Sequence, residues 1–309
     1  MHMQKNIYTD LALEARELNP ALSGVEEEKE EGQGLAVSRI RVTTQGAAEK
    51  LGKAMGQYVT LDAPGLVDRP LDLFAAVSKS LAKELEQLWK DLSQDATILV
   101  VGLGNRAITS DSLGPRVAEQ VYVTRHVTEY VPDALSRPIR SVCAVAPGVL
   151  GVTGIETMEI VQGVVERLHP DMILAVDALA SRRAARISTT IQMTDTGIQP
   201  GSGVGNTRKG LNQATFGVPV LAIGVPMVVY ATTISQDTIS LIADETGLHQ
   251  DEEKLRGLAE KVIEEHLGSM IVTPKDVDQI AIDMSRVLAD GINMALFGTD
   301  YDEVRMLVS

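Results

Sequence analysis

The sequence predicts an α/β fold, with a central mixed, mostly parallel sheet flanked by helices. Two stretches and one periodicity carry that prediction. The run Thr97–Pro115, TILVVGLGNRAITSDSLGP, opens with apolar Ile98-Leu-Val-Val101 and crosses a polar turn to Asp111. It restarts at Leu113-Gly114-Pro115, where a helix can begin. A buried strand feeding a helix through a loop is the unit of parallel sheets, whose sites lie at strand carboxyl ends. Met172-Ile-Leu-Ala-Val176 presents Asp177 in the same way. Between such strands, apolar residues recur at helical spacing, as in Leu73, Phe74, Val77, Leu81, Leu85, Leu88 and Trp89 of a helix spanning Leu71 to Leu92.

Residues 1–34 read as an arm. YTDLALEARELNPAL suits a short amphipathic helix ending before Pro20, and the acidic, glycine-bounded Gly24–Gly34 reads as a solvated, mobile segment. LAVSRIRVTT alternates as a strand should, GAAEKLGKAMG suggests a short helix, and QYVTLDAPGL a strand entering a Pro-Gly turn. Arg116–Thr124 reads as helix, Val127–Val131 as a short strand and SVCAVAPGVL as a buried strand. GIETMEIVQGVVERLHP is an amphipathic helix capped at His169. RISTTIQMTDTGIQPGSGVGNTRKG begins as a strand and becomes a glycine-rich surface loop, a candidate flap. VPVLAIGVPMVVY is a buried strand with a break at Pro226, followed by a helix from about Thr233 and two more over 251–268 and 275–297. Residues 35–309 thus form one domain.

Composition narrows the function. A net charge of -14 repels nucleic acid and anionic membranes, and 3% aromatic residues leave little with which to stack bases. No apolar run reaches the roughly 18 residues of a membrane span, and MHMQKNIYTD lacks a signal-peptide core, so a cytoplasmic protein is expected. The single cysteine, Cys143, lies in an apolar run and reads as an inert core thiol.

Several motifs fall short of a specific chemistry. Gly102-Leu-Gly104-Asn-Arg-Ala107 fits G-x-G-x-x-[GA], yet Ile108–Gly114 continue as loop and no acid closes a second strand some twenty residues on. The glycines read as a tight turn, and a nucleotide-binding module is the non-enzymatic alternative. There is no G-x-S-x-G elbow and no H-E-x-x-H pair. The carboxylates remain. Asp111 and Asp177 could each cap a following helix. If both face one cleft, burial and mutual repulsion push their pKa values apart, so that one activates water while the other protonates a leaving group.

VGLGN followed by TSDSLGP, then DMILAVDALASR, with YTDLALE near the N-terminus, together resemble the germination proteases of endospore-forming bacteria. The resemblance implies a phosphorylase/hydrolase-like α/β fold shared with the hydrogenase maturation endopeptidases. It also implies a homotetrameric, self-processing zymogen of the spore core that degrades small acid-soluble spore proteins. The family's two essential aspartates fall on Asp111 and Asp177. Its cleavage context, acid–apolar–Ala–x–Glu, matches Asp10-Leu11-Ala12-Leu13-Glu14, which makes residues 1–10 a propeptide cut between Asp10 and Leu11 and leaves 11–34 as the acidic arm. Many relatives carry a longer propeptide and a basic residue where Tyr8 stands. The maturation endopeptidases hold a metal with acidic residues and a histidine. No counterpart histidine occurs here, so neither metal nor other cofactor is expected, and a metal-dependent endopeptidase is the alternative enzyme. An acidic substrate calls for cations, for which Arg182, Arg183, Arg208 and Lys209 are the candidates.

Overall fold

The structure, a computed structural model, describes residues 9–32, 34–135, 137–198, 210–247, 252–266 and 270–308. Among these, nine strands form one sheet: β1 (Val25–Gly32), β2 (Leu35–Val42), β3 (Gly56–Asp62), β4 (Thr97–Gly102), β5 (Ser141–Val145), β6 (Met172–Ser181), β7 (Thr190–Thr194), β8 (Val220–Tyr230) and β9 (Ile271–Val272). Their order is β1-β2-β3-β7-β8-β6-β4-β5, with β9 on β8. The pairings of β5 with β4, β4 with β6 and β6 with β8 are parallel, and the others are antiparallel. The α/β class with a mixed sheet flanked by helices is therefore as the sequence predicts, and parallel order is confined to the half that carries Asp111 and Asp177.

Helices α1 (Ala12–Leu18) and α2 (Gln45–Leu51) flank the first hairpin, and α3 (Leu71–Leu88) leads into β4. After β4 come α4 (Leu113–Ala118) and α5 (Arg125–Tyr130), and after β5 come α6 (Leu150–Thr153) and α7 (Thr157–Leu168). The chain continues through α8 (Gln213–Phe216), α9 (Ala231–Thr246), α10 (Glu252–His266), α11 (Val277–Phe297) and α12 (Tyr301–Val308). Side chains alternate across a strand, so a sheet buried on both faces feeds two cores. Ile98, Val100, Leu174 and Val176 pack with Leu81 and Leu85 of α3 and Leu288 and Ile292 of α11. Leu99, Val101, Ile173 and Ala175 face the other way, against Val161 and Val165 of α7. A third cluster joins Leu13 and Ala15 of α1 to Ala47, Ala48 and Leu51 of α2 over Ile40, Val42 and Tyr58.

Five local expectations are overturned. Helix α4 covers Leu113–Ala118 and ends well short of Thr124. The acidic segment is solvated as expected but is a regular strand and not a loop: β1 is exposed along nearly its whole length and paired with β2 from Val25↔Val42 to Gly32↔Leu35. Ion pairs from Arg39 to Glu28, Glu30 and the buried Glu84 offset the repulsion, and charged residues along an edge strand discourage pairing with another chain. Val127–Val131 lies mostly within helix α5, supported by Arg125–Glu129 at 2.5 Å, while the strand position beside β4 is occupied by β5. Pro226 does not break β8: it sits opposite Leu179 at a bulge, where a missing N–H is tolerated. No helix starts after Asp177, because β6 runs on to Ser181, so Asp177 caps nothing. No described helix is long and apolar enough to cross a membrane.

Candidate active site

Three glycines set the loop that carries Asp111. A Cβ on Gly102 would meet the Gly114 carbonyl oxygen at 2.2 Å, and one on Gly114 would meet Leu103 O at 2.3 Å and Val176 O at 2.4 Å. Gly104 adopts φ +115°, and a Cβ there would lie 2.1 Å from the Asp111 carbonyl oxygen. The start of α4 therefore lies directly on the end of β4 and the middle of β6, and Leu103 N donates to Val176 O at 2.8 Å. Asp111 closes a 3₁₀ turn, Thr109–Asp111, which Thr109 Oγ1 ties to Asp278 of α11 at 2.7 Å. Its Oδ2 accepts from Asn105 N at 2.7 Å, so the carboxylate points back into the turn and does not cap α4. These glycines are filled by the loop itself, as a tight turn requires.

Asp177 stands one residue beyond the Gly102↔Val176 pairing, opposite Gly224 of β8, which in turn pairs with Gln192 of β7. Asp177, Gly224 and Gln192 thus form one row across three strands on the face opposite the α3–α11 core. Asp177 Oδ1 accepts from Ala178 N at 2.8 Å. Burial raises the Asp111 carboxyl above the usual range, and the Asn105 hydrogen bond opposes it. Asp177 is raised well above that range, by burial first and then by the Asp111 charge. The Ala178 N–H opposes this, and the Asp10 charge adds to it. The Asp111 charge thus acts on Asp177, which holds its proton more tightly.

The N-terminal segment crosses the same sheet end. Asp10 N donates to Ala180 O at 3.1 Å, and Ala180 N donates to Asp10 Oδ2 at 2.7 Å. Asp10 O accepts from Lys53 Nζ at 2.8 Å and from Gln192 Nε2 at 3.0 Å. Gln192 Oε1 accepts from Ala12 N at 2.6 Å, so this one side chain brackets Leu11. Leu11, Ala12 and Glu14 are each 0% exposed. Glu14 accepts from Arg182 N at 2.6 Å, from Arg183 N at 2.9 Å and from Thr9 Oγ1, and it pairs with Arg186 Nη1 at 3.3 Å.

A family model described as germination protease matches residues 3–254. The chain belongs to the germination protease family. A germination protease of Caldanaerobacter subterraneus subsp. tengcongensis is 45% identical over 94% of both chains. One from Clostridium tetani is 44% identical over 94% of this chain and 95% of its own. The germination protease of Priestia megaterium, 37% identical, covers 95% of this chain and 94% of itself. Family membership makes the chain a hydrolase of internal peptide bonds that acts in germination.

Of the cations expected to meet acidic substrate groups in this protease, Arg182 and Arg183 reach Glu14 through their backbone N–H groups, which lie just past the end of β6. The Arg182 guanidinium is 4.0 Å from Asp237, and that of Arg183 is 3.6 Å from Glu17. The guanidinium on Glu14 is that of Arg186, which sequence reasoning missed. Arg208 and Lys209 lie outside the described residues, as does most of the expected flap. Lys53 and Gln192 were missed too. Nothing in their local sequence marks them, because only the strand order brings them to Asp10.

Proposed function

We propose that this protease cuts small acid-soluble spore proteins in the spore core, that it cuts itself between Asp10 and Leu11, and that Asp111 and Asp177 do the acid–base chemistry. The observation that carries the reading is the seating of Asp10–Glu14: the bond between an acidic and an apolar residue lies on the strand that presents Asp177, close enough for the Asp10 charge to act on it. Asp111, whose charge Asn105 N stabilises, takes a proton from water as the oxygen attacks the Asp10 carbonyl carbon. Asp177 gives its proton to the Leu11 nitrogen as the C–N bond breaks. Residues 1–10 are then a propeptide, and no metal takes part. Homotetramer formation belongs to the same proposal and rests on the family resemblance.

Intact mass followed over time for the purified chain tests this directly. Loss of the first ten residues, unchanged by a chelator, is the expected result. Cutting at another bond, or a chelator block reversed by a divalent ion, would overturn it.

The protonation states set the pH dependence. Activity needs Asp111 ionised and Asp177 protonated, so the rate is expected to rise as Asp111 loses its proton and to fall as Asp177 loses its own. Both limits are displaced upward from the usual carboxylate range. A rate that stays flat from mildly acidic to alkaline pH would exclude Asp177 as the acid.

Glu14→Ala is expected to slow self-cleavage by roughly 10- to 100-fold, since hydrogen bonds to charged groups are worth about 1.5–3 kcal/mol. Time courses of both proteins by mass measure this.

A further inference from the structure

Lys53 lies beyond α2 and Gln192 within β7, 182 positions from Asp10 in the case of Gln192. Both end on a single atom, the carbonyl oxygen of Asp10. Given the Asp10–Leu11 cut argued above, that atom is the oxygen on which negative charge develops during hydrolysis. We propose that Lys53 Nζ and Gln192 Nε2 form the oxyanion-stabilising pair of this protease and are catalytic residues alongside the two aspartates.

The geometry supports this in three ways. The donors stand 2.8 and 3.0 Å from the oxygen, within the range that oxyanion donors occupy. Gln192, Gly224 and Asp177 lie in one row of β7, β8 and β6, so the donor and the acid are separated by two strand spacings, about 10 Å, with glycine between them. A peptide laid across that row meets the donor on one side and Asp177 on the other. Finally, Lys53 Nζ donates also to Thr9 O at 3.0 Å, and Gln192 Oε1 accepts from Ala12 N. All four contacts are to peptide backbone, so the pair serves any substrate sequence while Glu14 and its partners supply selectivity.

Lys53 is half-buried, with its ammonium turned onto the Thr9 and Asp10 carbonyls. Burial lowers its pKa, and the charges of Asp10 and then Glu14 pull it back. Partial removal of this ammonium from water strengthens its attraction for developing negative charge. The step balances. Water adds its oxygen to the Asp10 carbonyl carbon, one proton passes to Asp111, and the π pair moves onto the carbonyl oxygen facing Lys53 and Gln192. Collapse reforms C=O, expels the Leu11 nitrogen and moves the Asp177 proton to it.

The test uses the full-length protein and a synthetic peptide carrying the Tyr8–Glu17 sequence, cut in trans. Lys53→Met and Gln192→Met are expected to lower kcat by about 10²- to 10³-fold with KM changed less than about threefold. A second peptide carries a thioamide sulfur in place of the Asp10 carbonyl oxygen, which accepts hydrogen bonds poorly. Wild type is expected to cut it much more slowly than the oxygen peptide, and Lys53→Met to show at least a fivefold smaller difference. That readout does not depend on how well the variant folds. Variants that keep kcat within threefold, lose only KM, or retain the full sulfur effect would overturn the proposal. The bond cut by wild type, read by mass, is a separate measurement. Cutting elsewhere removes the Asp10–Leu11 reading and this proposal with it, whereas cutting there with unaffected variants removes this proposal alone.

Discussion

Asp111→Asn and Asp177→Asn are each expected to reduce self-cleavage, and cleavage of a peptide in trans, by roughly 10³-fold or more. General acid and general base each contribute about 10²- to 10⁴-fold, and an amide can neither take the proton from water nor return one to the leaving nitrogen. The loss has a built-in control against unfolding. Burial raises the Asp177 carboxyl above its unfolded value. Such a group weighs least on stability below the unfolded pKa of about 3.9 and costs stability as pH rises toward its folded value. Asp177→Asn removes that cost, so at neutral pH its melting temperature is expected to equal or exceed that of wild type, with the gap closing as pH falls to about 4. An inactive variant that also melts early at neutral pH would place Asp177 in the architecture instead of the chemistry. Activity retained in both variants would remove the carboxylate pair altogether.

Gly114→Ala is the second large effect. Its Cβ would sit within 2.3–2.5 Å of Leu103 O, Val176 O and Leu103 N, all backbone atoms at the junction of β4 and β6. Side chains can rotate away, but these atoms cannot without opening the sheet. Overpacking of this kind costs about 3 kcal/mol or more, which lowers the melting temperature by roughly 5 °C or more for a chain of this size. Because the same contact fixes the loop that ends in Asp111, activity is expected to fall further than the loss of folded protein explains. Gly163→Ala is the comparison. Gly163 lies inside α7 with nothing within 4 Å of its Cβ position, and alanine there is expected to stabilise by about 0.5–1 kcal/mol. Thermal melts of the two variants beside wild type decide the matter, and equal melting temperatures would refute the steric argument.

The sequence alone determined the two strands that matter, β4 and β6, from their β-branched apolar runs. It also presented Asp111 in the loop after β4 and Asp177 directly after the apolar run of β6, which the structure continues as strand to Ser181, and set out Asp10-Leu11-Ala12-Leu13-Glu14 as a cleavage-like segment. Those signals are local: hydrophobic period, glycine spacing, a short motif. Tertiary structure decided the rest. Whether Asp111 and Asp177 share a site depends on the parallel pairing of β4 with β6 and on the close approach of Gly114. Lys53, Gln192 and Arg186 reach the N-terminal segment only because the strand order brings β7 two places from β6 and the α2 end over the same face. Counting charges made Gly24–Gly34 look like a solvated, mobile segment, and its side chains are exposed, yet Arg39, fifteen or fewer residues away along the chain, helps to fix it as a paired edge. Composition measures how much charge a segment carries, whereas the fold determines which opposite charge stands across from it.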